Sequence, residues 1–143
     1  MTVKQISVFL ENKPGKLAEF TDILTDNQID MRALSLAETE DFGILRIIVD
    51  DVYKTSTVLK EAGYVFSITK VLAVEIPDTP GGLGNVIHII GDSGVNIEYM
   101  YAFTTKKQGI AFMIFRVHNN EKALEVLLKN GYHTVCQEEL KEL

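Results

Sequence analysis

Two short turns in this 143-residue sequence carry the residues best suited to hold a ligand. Each turn has a proline followed by a glycine and, two positions later, a leucine, in residues 11–17 (ENKPGKL) and 77–83 (PDTPGGL). Proline has no N–H group, while glycine allows another group to approach the backbone. A helix that begins at such a turn presents free N–H groups at the positive end of its dipole. The pattern therefore predicts a small anion site that would fit the carboxylate of a small molecule.

The same turns also have a purely structural interpretation. Asn12 and Asp78 could cap the helices that follow, and the glycines could simply turn the chain. The turns alone leave both interpretations open.

A second pair of polar residues recurs farther along the chain. Asp30 precedes Met31, and Asn96 precedes Ile97, in each case at the start of a predicted strand. A side-chain oxygen at this position could accept hydrogen bonds from an ammonium group. Backbone donors for a carboxylate, together with this acceptor, match the two ends of a free amino acid.

These positions recur because the chain repeats itself with a shift of 66 residues. The coinciding landmarks are Pro14 with Pro80, Gly15 with Gly81, Asp30 with Asn96, Gly43 with Gly109 and, after two extra residues, Gly63 with Gly131. The repeat predicts two copies of one domain, residues 1–69 and 70–143.

Each copy has the pattern of a strand, a helix, two strands, a second helix and a last strand. In the first copy the predicted strands are residues 5–10, 30–38, 43–49 and 65–69, and the helices begin near Pro14 and Asp51. In the second copy the strands are residues 71–76, 96–104, 109–117 and 133–137, with helices near 80–92 and 119–130. Right-handed crossovers then give an α+β protein of two ferredoxin-like βαββαβ domains. Each would have an antiparallel four-stranded sheet ordered 4-1-3-2, with both helices on one face. Because almost no linker separates the copies, we expect the domains to be packed together.

The whole chain resembles two tandem ACT domains with no catalytic domain attached. The resemblance rests on an apolar strand, the turn N/D-x-P-G-x-L, a helix that ends in G/N-x-I/V-D/N-I/M, and then paired strands, helix and strand. It implies a regulatory module that binds a free amino acid or similar small effector at an interface between ACT domains. Such interfaces often form through side-by-side sheets and homodimers, so the resemblance also implies a homodimer, with a regulated enzyme as a further partner.

By position, the resemblance also implies a set of ligand-binding residues. They are Asn12, Pro14, Gly15, Lys16, Leu17, Asp30 and Met31 in the first copy, and Asp78, Pro80, Gly81, Gly82, Leu83, Asn96 and Ile97 in the second. The copies depart from the family differently. Gln28 stands where the family often has glycine, and Gly82 and Gly84 are added in the second copy. We therefore expect two non-equivalent sites, of which one could be empty or purely structural.

The composition argues against several other classes of function. The formal net charge is −6, from 14 Lys and Arg against 20 Asp and Glu, and no cluster of like charges occurs. We therefore expect no binding to nucleic acid or to an anionic membrane. The longest apolar runs have the length of a strand, which predicts no membrane span. The single cysteine, Cys136, and the lack of a signal-peptide pattern predict a cytoplasmic protein without an internal disulfide.

No combination of residues indicates an active site or a metal site. The three histidines, His88, His118 and His133, are not grouped with a carboxylate or with Cys136 at ligand spacing. No nucleophile motif, phosphate loop or dinucleotide fingerprint occurs. We therefore predict no enzyme activity, no cofactor and no metal.

Residues 104–117 (TTKKQGIAFMIFRV) suggest alternatives, because they nearly match the strand with which RNA-recognition domains stack bases. Those domains share the βαββαβ order, so one alternative is an RNA-binding tandem module that uses Phe112 and Phe115. A small ferredoxin-like enzyme is another. The neighbouring strand, residues 71–76, has no aromatic residue, which favours a buried strand instead. Since both faces of residues 110–115 are apolar, we expect one face to pack on its own helices and the other on a second domain or subunit.

Overall fold

The computed structural model describes all residues from 1 to 143 and divides them into two compact units. The N-terminal unit is Lys4–Thr69. The C-terminal unit is Lys70–Leu143 together with Met1–Val3. Each unit has two α-helices and its own hydrophobic core, as the repeat predicts.

The N-terminal unit has the predicted order of elements. These are β1 (Val3–Glu11), α1 (Lys16–Asp26), β2 (Met31–Glu38), β3 (Phe42–Val49), α2 (Val52–Glu61) and the beginning of β4 (Phe66–Pro77). β3 pairs antiparallel with both β1 and β2. The N–H group of Phe9 in β1 donates to the carbonyl of Val65, 3.0 Å away, so the chain entering β4 lies on the other side of β1. The order 4-1-3-2 predicted for the first copy is therefore correct.

The core of the N-terminal unit lies between one face of its sheet and both helices. Alternate residues of β1 point to this face, and α1 contributes Phe20 and Leu24, which are one helical turn apart. The buried members of the cluster are Ile6, Val8, Leu10, Phe20, Leu24, Ile29, Leu45, Ile47, Val49 and Leu59. Burying one such side chain contributes about 1.5–3 kcal/mol. The cluster therefore fixes α1, and the turn before it, on the sheet.

The C-terminal unit repeats this arrangement. It contains the rest of β4, α3 (Gly82–Asp92), β5 (Ile97–Phe103), β6 (Ile110–Val117) and α4 (Asn120–Lys129). β6 pairs antiparallel with both β4 and β5. The buried members of its core are Leu72, Val74, Ile76, Val86, Ile90, Val95, Phe115, Val117, Ala123 and Leu127.

The strands predicted at residues 65–69 and 71–76 are a single strand, β4, which runs without interruption through Phe66–Pro77. No turn residue lies between them, so nothing in the backbone ends the first strand before the second begins. One continuous element therefore supplies the last strand of the first copy and the first strand of the second.

The prediction of a last strand at residues 133–137 is wrong in its length. Only one antiparallel bridge forms there, between Thr134 and Val74. A short 3-10 helix, Gln137–Glu142, follows it. The Glu139 carboxylate accepts a hydrogen bond from the N–H group of Cys136 at 2.7 Å, so this N–H group is not available for a strand partner. The buried side chain of Leu140 holds the helix in place.

β6 has buried apolar side chains on both faces, as predicted. Phe115 belongs to the core beside the helices, and Phe112 and Ile114 point to the opposite face. The exposed fractions of Phe112 and Phe115 are 1% and 0%. Base stacking requires accessible rings, so Phe112 and Phe115 are not placed to stack on bases. In addition, no helix is long and apolar enough to cross a membrane.

Candidate functional site

The two turns that precede α1 and α3 have the same backbone conformation. Gly15 has φ 85° and ψ −14°, and Gly81 has φ 85° and ψ −9°, and each is the residue just before its helix. This left-handed conformation costs about 1–2 kcal/mol for a residue with a Cβ atom. A Cβ atom at either position would have no atom within 4 Å. The backbone therefore requires glycine here, and the space above each glycine is open.

The capping interpretation of Asn12 and Asp78 is wrong. Neither α1 nor α3 has a hydrogen bond from a side chain at its N-terminus. The Asn12 side chain donates instead to the carbonyl of Thr39 at 3.3 Å, in the β2–β3 turn. The N–H group of Asp78 donates to the carbonyl of Gly109 at 3.1 Å, in the corresponding turn of the other unit. Both residues therefore connect one turn to another.

The first turns of α1 and α3 present backbone N–H groups beside the open glycines. The first helical N–H group of each, on Lys16 and Gly82, donates to a carbonyl within the turn. The N–H groups of the next two residues have no acceptor within the helix, as at every helix start. These residues are Leu17 and Ala18 in α1, and Leu83 and Gly84 in α3. Both turns can therefore donate to an anion.

The first helical residue differs between the two turns. A Cβ atom at Gly82 would collide with the carbonyl oxygen of Pro77, so packing alone explains this glycine. Lys16 occupies the same position in α1, and its Nζ atom lies 3.6 Å from the Glu19 carboxylate. The side-chain chemistry predicted for this position is therefore present in only one unit.

Asp30 and Met31 lie at the other end of the N-terminal unit from the turn. Met31 pairs with Val49, whereas Leu10 and Glu38, near the turn, both pair with Gly43. The seven-residue separation along β2 corresponds to roughly 20 Å. Within one unit, a single amino acid cannot contact both parts of the predicted site.

Asn96 and Ile97 are placed in the same way in the C-terminal unit. Ile97 pairs with Val117 at one end of β6, while Pro77, near the turn, pairs with Ile110 at the other. The predicted ligand residues of this copy are therefore also divided between two ends of the sheet.

The Asp30 carboxylate has a partner within its own chain. It accepts a hydrogen bond from Arg32 at 3.1 Å. The N–H group of Asp30 donates to the Asp50 side chain at 3.2 Å, and that of Asn96 donates to His118 Nδ1 at 3.0 Å. These repeated bonds hold the start of β2 and of β5, but they use the backbone N–H groups and do not require polar side chains at residues 30 and 96.

A groove of about 440 Å³ lies beside the N-terminal turn. It opens between the end of β1, the first half of α1 and the connection from α2 to β4. The residues that give it charge, a hydroxyl group and an apolar surface are Glu11, Lys16, Glu19, Phe42, Tyr64 and Val65. Of these, only Lys16 is among the ligand-binding residues predicted from the sequence.

Charged groups of both signs surround this groove. Lys13 donates to Glu11 at 2.8 Å, and this bond, with the charges of Lys13 and Lys16, lowers the pKa of Glu11. Burial raises the pKa of the Tyr64 hydroxyl, and the negative charge of Glu19 raises it further. The groove therefore combines a cation, two carboxylates and a partly desolvated hydroxyl.

The C-terminal unit has a smaller groove, of about 290 Å³, in the corresponding place. Pro77, Tyr132 and His133 line it where Glu11, Tyr64 and Val65 line the larger groove. The helix positions that correspond to Lys16 and Glu19 are Gly82 and Asn85, which carry no charge. The position of the groove is therefore repeated, but its chemistry is not.

A third cavity, of about 90 Å³, lies on the other side of the N-terminal turn. Leu10, Leu17 and Leu36 give it an apolar lining, and Asn12 and Glu38 lie at its edge. The predicted ligand residues Asn12 and Leu17 therefore face a cavity well below the roughly 300 Å³ at which ligand pockets usually begin.

The histidines contact other groups singly. His133 Nε2 lies 2.9 Å from the Glu139 carboxylate, and His118 accepts the hydrogen bond from Asn96. No group of three or more His, Cys, Asp or Glu side chains is arranged to hold a metal ion.

Comparison with known proteins gives one family and several related structures. A family model described as an ACT domain pair matches residues 1–143. A protein of Bacteroides thetaiotaomicron with a known crystal structure is 39% identical, with a TM-score of 0.93 over 100% of this chain and 98% of that one. The regulatory subunit of aspartate kinase from Thermus thermophilus is 16% identical, with a TM-score of 0.65 over 88% of this chain and 90% of that one. The regulatory subunit of aspartate kinase from Thermus flavus is also 16% identical, with a TM-score of 0.57 over 88% of this chain and 90% of that one. No curated protein matches the sequence.

Proposed function

The chain belongs to the family of ACT domain pairs, and on that premise we propose that it is a regulatory protein that binds a free amino acid or a similar small effector. Binding would change how the protein contacts another molecule, with a regulated enzyme as the expected partner. We propose no catalytic activity for the chain and expect it to act in the cytoplasm.

The observation that carries this proposal is the repeated left-handed glycine turn. Gly15 and Gly81 have the same φ angle, and the space above both is open. Each is followed by a helix start with N–H groups that can donate to a carboxylate. A capping role for Asn12 or Asp78 does not account for the turns, because neither residue caps its helix.

The predicted ligand-binding residues at the far end of each sheet would contact a ligand that is held by another domain or subunit. Asp30 and Met31, or Asn96 and Ile97, are too far from the turn of their own unit to contact the same ligand. They would reach a ligand held by the turn of a different domain or subunit. We therefore propose that the ligand is held at a domain or subunit interface.

We also propose that the chain forms a homodimer. β2 carries Leu34 and Leu36 as half-exposed side chains, and they lie on the same face because they are two residues apart. Exposed apolar residues grouped on one strand are typical of a surface that contacts another protein. Light scattering would then give twice the 16.0 kDa mass of one chain.

A thermal-shift measurement with each of the twenty amino acids at millimolar concentration tests the binding function. A ligand at about 100 times its Kd stabilises the folded state by about 2.7 kcal/mol, which raises the melting temperature by several degrees. We expect such an increase with at least one amino acid. If none of them raises the melting temperature, the proposed function is wrong.

The variant Gly15→Ala links binding to the turn, and Gly94→Ala is its matched control. Both glycines have a positive φ angle, 85° and 82°, so each substitution costs about 1–2 kcal/mol of stability. Gly94 follows α3, at the opposite end of that helix from its turn. At a temperature where both variants are folded, we expect Gly15→Ala to lose affinity and Gly94→Ala to keep it. Equal affinities would remove the turn from the binding site.

A further inference from the structure

We propose that the effector site is the 440 Å³ groove of the N-terminal unit, and that its ligand is a zwitterionic amino acid with an aromatic side chain. This inference rests on the proposed function. It adds which unit binds, which side of the turn is used and which class of amino acid fits, and it assigns the ammonium group to Glu19 of the same unit in place of Asp30 or Asn96.

The sizes of the three cavities favour this groove. Pockets that enclose small molecules usually measure about 300–1,000 Å³. The groove beside Lys16 and Tyr64 lies within this range, at about 440 Å³. The cavity beside Asn12 and Leu17, at about 90 Å³, is too small for a whole amino acid with a large side chain.

The charges of the groove match the two ends of an amino acid. Lys16 can donate to a carboxylate, and the Glu19 carboxylate can accept from an ammonium group. These two side chains now lie 3.6 Å apart and are partly exposed to water, so their mutual attraction is weak. A zwitterion could separate them, because its carboxylate would bind Lys16 while its ammonium group binds Glu19. Glu11 adds a second carboxylate beside the ammonium group.

The apolar part of the groove indicates the side chain of the ligand. Phe9, Phe42 and Val65 line it with exposed fractions of 48%, 54% and 67%. Three aromatic residues, Phe9, Phe42 and Tyr64, thus line one open space. An aromatic side chain would cover this surface and gain ring-to-ring contacts worth about 0.5–1.5 kcal/mol each beyond burial.

The C-terminal groove lacks the features on which the proposal depends. α3 has Gly82 and Asn85 where α1 has Lys16 and Glu19, and Gln108 stands where the N-terminal unit has Phe42. None of these three residues lines the C-terminal groove. Glu75 and His133 line this groove, and His133 already lies 2.9 Å from the Glu139 carboxylate. The groove has no lysine for a carboxylate and no exposed phenylalanine for an aromatic side chain. We therefore expect one binding site for each chain.

The test is isothermal titration calorimetry of the full chain with L-phenylalanine and three related probes. 3-Phenyllactate lacks the ammonium group, 2-phenylethylamine lacks the carboxylate, and L-alanine lacks the ring. We expect L-phenylalanine to bind with one site per chain. We expect the affinity of each of the other three probes to be lower by at least about tenfold. Binding of 3-phenyllactate and L-phenylalanine with equal affinity would contradict the role of Glu19.

Two pairs of variants locate the site. We expect Glu19→Gln to weaken L-phenylalanine binding about tenfold or more, and Asp22→Asn, an exposed acid farther along α1, to leave it unchanged. Phe42→Ala should also weaken binding, while Gln108→Ala, at the corresponding position of the other unit, should not. All four positions are exposed, so the variants are expected to fold.

The possible outcomes separate the inference from the proposed function. If another amino acid binds but L-phenylalanine, L-tyrosine and L-tryptophan do not, the proposed function stands and the inference is wrong. If L-phenylalanine binds and the Glu19 and Phe42 variants bind it like the unmodified chain, the location of the site is wrong. If no amino acid binds, both are wrong.

Discussion

The turns before α1 and α3 have one backbone conformation and two different chemistries. Gly15 and Gly81 agree in φ and nearly in ψ, and each leaves open space above the start of a helix. The next residue is a lysine in one turn and a glycine with no room for a side chain in the other. The duplication therefore preserves the geometry that exposes backbone N–H groups. Only the N-terminal groove is lined by a lysine and by exposed phenylalanine residues.

The largest effect that we predict is a loss of stability on replacing Gly82, the glycine that follows Gly81 in the second turn. Gly82→Ala brings a Cβ atom against the Pro77 carbonyl, and since both are backbone-anchored neither can move freely. We expect the free energy of unfolding to fall by about 3 kcal/mol, the upper part of the usual range for overpacking. Urea unfolding followed by circular dichroism measures it.

Gly84→Ala is the matched control, because a Cβ atom at Gly84 meets no atom within 4 Å. Gly84 lies in the first turn of α3, and replacing a glycine within a helix by alanine stabilises by up to roughly 0.5–1 kcal/mol. We therefore expect the two variants to change stability in opposite directions. Equal effects would mean that Gly82 is not required by packing, and that this position could have had a ligand-binding role.

A smaller effect on stability is expected at the C-terminal ends of the two copies, which differ in structure. The first copy continues into β4, whereas the second has a single bridge and a 3-10 helix held by Glu139. The hydrogen bond from the Cys136 N–H group lowers the pKa of Glu139, and His133 lowers it further. Because the folded-state pKa is below the unfolded value, the stabilisation is fully present above the ordinary value of 4.5 and is lost as the pH falls through the lowered pKa.

The variant Glu139→Gln measures this contribution. We expect the unmodified chain to be the more stable of the two above pH 4.5, and the difference in free energy of unfolding to decrease as the pH falls further. Glu142→Gln, in the same 3-10 helix, serves as the control. A difference that is constant across this range would contradict the role of the Glu139 carboxylate.

Most of the fold could be predicted because alternation and helical periodicity are local signals. Residues 43–49 and 109–117, for example, lie within one residue of β3 and β6. The last strand could not be predicted in this way. The residues around Val135 favour a strand, but the hydrogen bond from the Cys136 N–H group to the Glu139 carboxylate determines the local structure. Such a contact between a side chain and the backbone leaves no periodic signal in the sequence.

The site was predicted less completely than the fold. The glycines of the turn were identified because few other residues adopt their conformation. Tyr64 was not, because it approaches the turn only when α2 has brought the chain back to β1. The spacing of Lys16 and Glu19 on α1 was the one available signal for the groove, since residues three apart lie on the same face of a helix. Asp30 was assigned to the same ligand as the turn, although the two lie at opposite ends of one sheet.

The most direct test of the comparison is an NMR titration of the ¹⁵N-labelled chain with L-phenylalanine, which follows the backbone amide signals of both units at once. We predict chemical-shift changes at residues 15–19 and 62–65, beside the N-terminal groove, and none of comparable size at residues 81–85 and 130–133. Equal changes at both turns would contradict the claim that only one unit carries the binding chemistry, and the absence of changes at the N-terminal turn would contradict the proposed site itself.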